Sequence, residues 1–280
     1  MKTSGVKKSL SPNWGRYVLD NAAPRTATRF SALAALYDET TIRHLEHTGV
    51  QNGWHCWEIG AGPGSIAQWL CDRVGMTGSV LATDIDTCFL SDIKRPNLQV
   101  RRHDIVSDPL PEERFDLIHT RLVLLHVPER ELVMDRMVSA LKPGGWMVAE
   151  EFDSLSHPAA PERFSREVAL KSAAALLKVM MERGVEPGFG RALAALFRAR
   201  GMQSIAAEGR ILMTMGRTVG SELMNANFTQ LRGATLATGL VTEGEFAQDL
   251  ARLDVEEFLT PSSVMWTVAA RRPPSAPEDK

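Results

Sequence analysis

The chain has 280 residues, 44% of them hydrophobic and 24% charged, the balance of an ordinary globular protein rather than a disordered or fibrous one. A formal net charge of −2 leaves no protein-wide electrostatic footprint for nucleic acid, and no apolar run approaches membrane-spanning length. Cys56, Cys71 and Cys88 show no C-x-x-C spacing, and no apolar signal core follows Lys7-Lys8. The expectation is a cytoplasmic protein with reduced thiols, and with neither nucleic acid nor membrane among its partners.

Residues 1 to about 12 are polar and read as loose. From Trp14 to Gly49 the apolar positions Phe30, Leu33, Leu36 and Tyr37, then Ile42 and Leu45, repeat at helical spacing. Residues 1–50 are therefore expected to form a helical lid ahead of the first strand. Tyr17, Arg29 and Tyr37 are its candidate contacts, although simple packing against the sheet edge is the readier explanation for each.

A short apolar run, His55-Cys56-Trp57, reads as a strand, and Ile66-Ala67-Gln68-Trp69-Leu70 reads as a helix. Between them lies Glu58-Ile59-Gly60-Ala61-Gly62-Pro63-Gly64-Ser65. Glycines at such a junction permit unusual dihedrals and remove side chains where a ligand approaches, while the helix start offers N–H groups. The dinucleotide fingerprint needs a third small residue at the position held by Ser65. Glu58, two residues before the first glycine, suits a cationic ligand group better than a pyrophosphate. At this point the sequence resembles the class I, Rossmann-like S-adenosylmethionine-dependent methyltransferases, whose first motif is an acid followed by G-x-G-x-G. The resemblance implies S-adenosyl-L-methionine as cofactor, S-adenosyl-L-homocysteine as product, and Glu58, Gly60, Ala61, Gly62 and Gly64 as contacts.

Ser79 to Asp84 reads as a second strand ending in an acid, about twenty residues past the last glycine, the spacing at which a carboxylate reaches ribose hydroxyls. Ile85 then faces adenine, and Asp86 is expected to cap a following helix. Leu98 to Arg102 is a third strand. The family places an acid and an apolar residue after it, against the adenine, and Asp104 and Ile105 match, although a turn aspartate would look the same. Phe115 to Thr120 makes a fourth strand whose carboxyl edge offers Thr120 and Arg121 to the methionine end. A helix from Glu129 to Leu141 ends at Lys142-Pro143-Gly144-Gly145, and Trp146 to Phe152 is the fifth strand. This Lys-Pro-Gly-Gly stop is also typical of the family.

Strands alternating with helices imply a doubly wound α/β sheet of about seven strands, mostly parallel with the last antiparallel. Residues 51–155 form the expected cofactor-binding core. Residues 156–270 would supply a helical substrate cap and edge strands six and seven, and 271–280 a disordered tail. Helices are expected over Glu162 to Arg183, Pro187 to Arg200, Thr218 to Gly239 and Glu243 to Phe258. Strands are expected within Met202 to Met215 and over Ser263 to Ala270. Methionines recur in this half, suiting either an irregular apolar pocket or ordinary core packing.

The function this implies is methyl transfer to a small, partly apolar acceptor, with oxygen as the expected nucleophile. A nicotinamide-dependent oxidoreductase and a non-catalytic cofactor-binding protein are the alternatives. His126, just past the fourth strand, is the first candidate general base. Glu151 and His157 are second choices and, with Tyr17, candidate substrate contacts. No metal constellation is expected, and a homodimer stays open.

Overall fold

The computed structural model of the chain describes residues 19, 21, 23–112, 114–156 and 169–275. Helix α1 (Thr26–His47) is followed by β1 (His55–Ile59), α2 (Ser65–Val74), β2 (Ser79–Asp84), β3 (Leu98–Arg102), β4 (Phe115–Arg121), α3 (Arg130–Ala140) and β5 (Leu141–Asp153). Then come α4 (Lys171–Glu182), α5 (Phe189–Ala199), β6 (Gln203–Arg210), β7 (Met213–Met215), α6 (Val219–Ala237), α7 (Glu243–Leu253), β8 (Leu259–Pro261) and β9 (Val264–Arg271). Seven strands form one sheet in the order β3-β2-β1-β4-β5-β9-β6. β1 to β5 are parallel, and β9 runs antiparallel between β5 and β6. The expected Rossmann-like architecture is present, with the chain's last strand as the antiparallel one.

β1, β2 and β4 are buried on both faces, which is why they read as near-continuous apolar runs rather than alternating ones. Alternation still sorts their side chains. Cys56, Leu117, Val148 and Ala269 pack with Leu45 of α1 and with Ile66, Ala67 and Leu70 of α2 on one face. Trp57, Ile118, Met147 and Val268 pack with Met134 and Met137 of α3 and Phe197 of α5 on the other. A third cluster joins Ala175 of α4, Phe228 of α6 and Phe246 and Leu253 of α7, away from the sheet.

Several expectations shift. The described part of the N-terminal helix begins at Thr26, and Tyr17 lies outside the described residues, as does His157. The helix expected from Glu162 is described from Lys171. No helix follows Asp86. Its carboxylate accepts the Cys88 N–H at 3.1 Å and closes a turn instead. The extended stretch to Met215 divides into β6 and β7, and β7 pairs with β8 as a separate ribbon. β5 begins earlier than Trp146, because Leu141 already pairs with Phe115 and the Lys-Pro-Gly-Gly segment is a bulge within the strand. Arg271 and Arg272, assigned to a loose tail, are held: the Arg272 N–H donates to Gly145 O at 2.8 Å, and the Arg271 guanidinium donates to Gly144 O at 2.8 Å.

Candidate active site

The order of the sheet reverses between β1 and β4, and ligands of open α/β sheets bind outside the carboxyl ends of strands at such a point. The glycine turn lies there. Gly60, Gly62 and Gly64 have φ of 69°, 51° and 79°, where L side chains are strained. Their reasons differ. A Cβ on Gly60 would stand 2.2 Å from Val123, and one on Gly64 2.6 Å from Ile93, so these two are required by packing. Gly62 faces the cavity, with Phe30 of α1 at 3.4 Å from its would-be Cβ. Gly64 is the N-cap of α2 and does not line the cavity.

The turn's N–H groups are already spent. Gly60 and Ala61 donate to Thr83 O, Gly62 to the Asp84 carboxylate at 2.9 Å, and Gly64 to Ala61 O. A pyrophosphate would need those donors free, so this turn is a poor dinucleotide cradle. Asp84 sits at the end of β2, where the His103 N–H donates to its carbonyl. Its carboxylate also accepts the Asp86 N–H, and burial raises its pKa despite both bonds. Each of its oxygens keeps a second lone pair for a ligand hydroxyl. Ile85, Asp104 and Ile105 line the same cavity. The Asp104 carboxylate also accepts from the Val106 N–H and the Ser107 hydroxyl, both at 2.9 Å, so it fixes its own turn while facing the cavity.

Past β4, Arg121 lines the cavity, whereas Thr120 is wholly buried and does not. Strand alternation explains the difference, since Thr120 points to the face opposite Arg121. Leu122 has φ of 57°, a strained value for a residue with a side chain, costing about 1–3 kcal/mol. It is held by its N–H to Glu150 O at 2.8 Å. Then a single 3₁₀ turn, Leu124–His126, runs under the cavity. Glu151 is not a cavity residue. It is fully buried and accepts the N–H groups of Val123, Leu124 and Leu125, so it braces the turn rather than meeting substrate. Burial pushes its carboxyl up to about 8 even so.

Glu58, His119 and Glu150 lie far apart in the sequence, but the structure joins them. His119 Nδ1 lies 2.7 Å from Glu58 Oε2, and its Nε2 lies 3.3 Å from Glu150 Oε2. The ring is completely buried. Thr267 donates to Glu150 at 2.7 Å, and Thr41 of α1 donates to it as well. Arg121 donates to Thr41 at 2.9 Å and to Asp38 at 2.8 Å. Burial opposes charge on His119, yet the two carboxylates prevail and raise it to about 9. Burial likewise opposes charge on Glu150, but the His119 bond and charge hold its carboxyl at about 2. The signal was present in principle. Glu58 pairs with His119 in register, Arg121 with Glu150 and Glu150 with Thr267, so period two puts them on one face, but only after strand order is known.

All these residues border or underlie one cavity of about 1340 Å³. Single-ligand pockets span about 300–1000 Å³, so this one has room for two ligands. His126 lines it where the sheet edge meets the cap, next to the Glu186 N–H to Leu125 O bond. Burial, and then the Arg29 charge, lower the His126 ring to about 4, keeping it neutral at neutral pH. Among the described residues, the charged lining residues, including Arg29, Glu58, Asp84, Arg102, Asp104 and Arg121, all come from the first 121 positions. Every lining residue from 169 onward is uncharged, including Leu170, Leu177, Met180, Leu223, Met224 and Phe228. No group of three or more His, Cys, Asp or Glu among the described residues is placed to hold a metal. No helix among them is long and apolar enough to cross a membrane.

A family model described as a methyltransferase domain matches residues 57–149, the span from β1 to β5 that builds this edge. Over that span the chain is similar to the class I S-adenosylmethionine-dependent methyltransferases. It is 29% identical over 161 residues to the ubiquinone/menaquinone biosynthesis C-methyltransferase UbiE of Laribacter hongkongensis, covering 51% of this chain and 66% of that protein. It is 28% identical over 144 residues to the methyltransferase str3 of Strobilurus tenacellus, covering 51% and 50%. The chain thus spans about half to two thirds of the length of these curated relatives. In fold it is similar to a phosphoethanolamine N-methyltransferase 2 of Haemonchus contortus, solved with phosphomonomethylethanolamine and S-adenosylhomocysteine. That match has a TM-score of 0.56 and 14% identity, covering 90% of this chain and 58% of that one. The methyltransferase cofactor, S-adenosylmethionine, fits the residues present. Asp84 has lone pairs for a ribose, Ile85 and Ile105 are apolar walls, and Glu58 is a carboxylate at the cavity surface.

Proposed function

We propose that the protein transfers the methyl group of S-adenosylmethionine to a small, uncharged, largely apolar acceptor bound in the cap half of the cavity. The observation that carries this reading is the single cavity that begins at the glycine turn and ends among uncharged side chains contributed by residues 169–275. When bound, the cofactor supplies a methyl group on a sulfonium leaving group.

The protein's part is placement and proton handling. Asp84 takes the ribose hydroxyls. Asp104, Ile85 and Ile105 take the adenine, and Glu58, with Arg121 beside it, takes the amino-acid end. Leu170, Leu177, Met180 and Phe228 hold the acceptor, and the confined geometry contributes on the order of 7–11 kcal/mol through orientation. Asn227 Oδ1, a cavity residue's oxygen buried without a partner, accepts a hydrogen bond from a hydroxyl of the acceptor. His126, neutral at working pH, accepts the proton of the reacting group. The expected nucleophile is a hydroxyl oxygen. A ring or enol carbon activated by loss of the same proton is the second reading, favoured by the relatives named as C-methyltransferases.

Calorimetry with S-adenosylmethionine, S-adenosylhomocysteine and NAD tests the cofactor: the first two are expected to bind and NAD not to. Transfer of labelled methyl to a panel of neutral phenols and hydroxylated polycycles, against their carboxylated analogues, tests the acceptor. Labelling only of the carboxylated series overturns the acceptor class. His126→Ala is expected to lower turnover about 10²–10⁴-fold with cofactor affinity kept, and full turnover removes His126 from the base role.

A further inference from the structure

The hydrogen-bonded charges beneath the cofactor turn do not balance. Glu58, Glu150 and Asp38 are acids, while His119, bonded at both ring nitrogens, and Arg121 are the cations, so the cluster is one positive charge short. Its carboxylate at the cavity is Glu58, and the other end of the chain of bonds is Thr41 and Asp38 on helix α1. A doubly bonded ring between two carboxylates must donate from both nitrogens, because a neutral imidazole has one N–H and would turn a lone pair toward one acid. The geometry therefore holds Glu58 and Glu150 in a fixed mutual position, and Thr41 and Thr267 supply the remaining donors to Glu150.

We infer that Glu58, His119, Glu150 and Thr41 form a positioning relay that makes recognition of the cofactor's amino-acid end depend on helix α1. It rests on the reading that Glu58 takes the cofactor's ammonium group, which supplies the missing positive charge. Removing the Thr41 hydroxyl takes a donor from Glu150 and an acceptor from Arg121. Glu150 then draws the His119 ring toward itself, and Glu58 loses the donor that aims it. The effect is confined to ligands carrying the ammonium group. Alternatively, the cluster only stabilises the sheet, in which case its disruption weakens every ligand of the site alike.

The test compares two probes by calorimetry on the full chain at pH 7: S-adenosylhomocysteine, which has the amino-acid end, and 5′-methylthioadenosine, which lacks it. Thr41→Val preserves volume and stands on α1, outside the cofactor turn. It is expected to weaken S-adenosylhomocysteine about five- to tenfold, the worth of one net hydrogen bond, and to leave methylthioadenosine within about twofold. Glu150→Gln, read in the same way, is expected to show the same selectivity, and the double variant less than the product of the two effects. Glu58→Gln separates the two claims. If it lowers the homocysteine probe selectively while Thr41→Val does not, the relay is wrong and the role of Glu58 stands. If Glu58→Gln leaves both probes unchanged, the role of Glu58 fails and the relay with it. Equal weakening of both probes by Thr41→Val also overturns the relay.

Discussion

The two halves of the cavity are built by opposite means. The cofactor half is a sheet edge, where strand register fixes Glu58, Asp84 and Arg121 and backbone bonds fix the turn that carries Gly62. The cap half is helix side chains, with flexible Met180 and Met224 and no charge among its lining residues from 169 onward. A site meeting the same charged ligand in every cycle gains from preorganised dipoles and paired charges, whereas an apolar acceptor needs only shape and water exclusion. The contrast separates a charged half held by strand register from an uncharged half built of helix side chains.

The comparison breaks most severely at His119. His119→Leu leaves Glu58 and Glu150 buried beside each other without their shared cation, and a loss of about 3–5 kcal/mol in unfolding free energy is expected by urea denaturation. The native protein should show the matching pH dependence. With His119 raised from 6.5 to about 9, its stabilising contribution is complete below pH 6.5 and fades as pH rises toward 9. A flat unfolding profile over that interval contradicts a protonated His119.

A smaller effect is expected at the ribose acid. Asp84→Ala removes the charged acceptor, and S-adenosylhomocysteine affinity should fall about 10- to 100-fold in calorimetry. Unchanged affinity takes Asp84 out of that role. The mildest change in the cofactor half comes from charging the other end. Leu177→Asp should abolish the fluorescence gained when the neutral apolar dye Nile red enters the cap, while S-adenosylhomocysteine affinity moves less than about twofold, since well-separated sites behave additively. Equal loss of both ligands means that the halves are not independent.

Much of the cofactor end was legible because its determinants are local. The order of Glu58, the glycines, Asp84 and Asp104 follows the chain, and each lies at or just past the carboxyl end of a parallel strand, so one edge collects them, whereas the Lys-Pro-Gly-Gly segment falls at the opposite edge, beside the start of β4. Legibility stopped wherever a side chain's role depended on a neighbour from another element. Glu151 looked like a substrate contact, yet it braces the turn at Val123–Leu125. Thr120 looked like a cofactor contact, yet alternation turns it into the core. Gly60 and Gly64 looked like ligand clearances, but Val123 and Ile93 occupy the space that their side chains would fill.

By itself the sequence determined the resemblance to a methyltransferase family, the parallel core and the acids at strand ends, because hydrophobic period, turn residues and motif spacing are all read within a few tens of residues. Only the tertiary structure decided that Glu58, His119, Glu150 and Thr41 share one buried bonded cluster, and that the described part of the cap, from residue 169 onward, presents no charge to the cavity. Those properties arise between β1, β4, β5, β9 and α1, and between α4 and α6, elements far apart in the chain. Neighbours then decide which charges survive burial: two acids keep His119 protonated, whereas burial and the Arg29 charge leave His126 neutral.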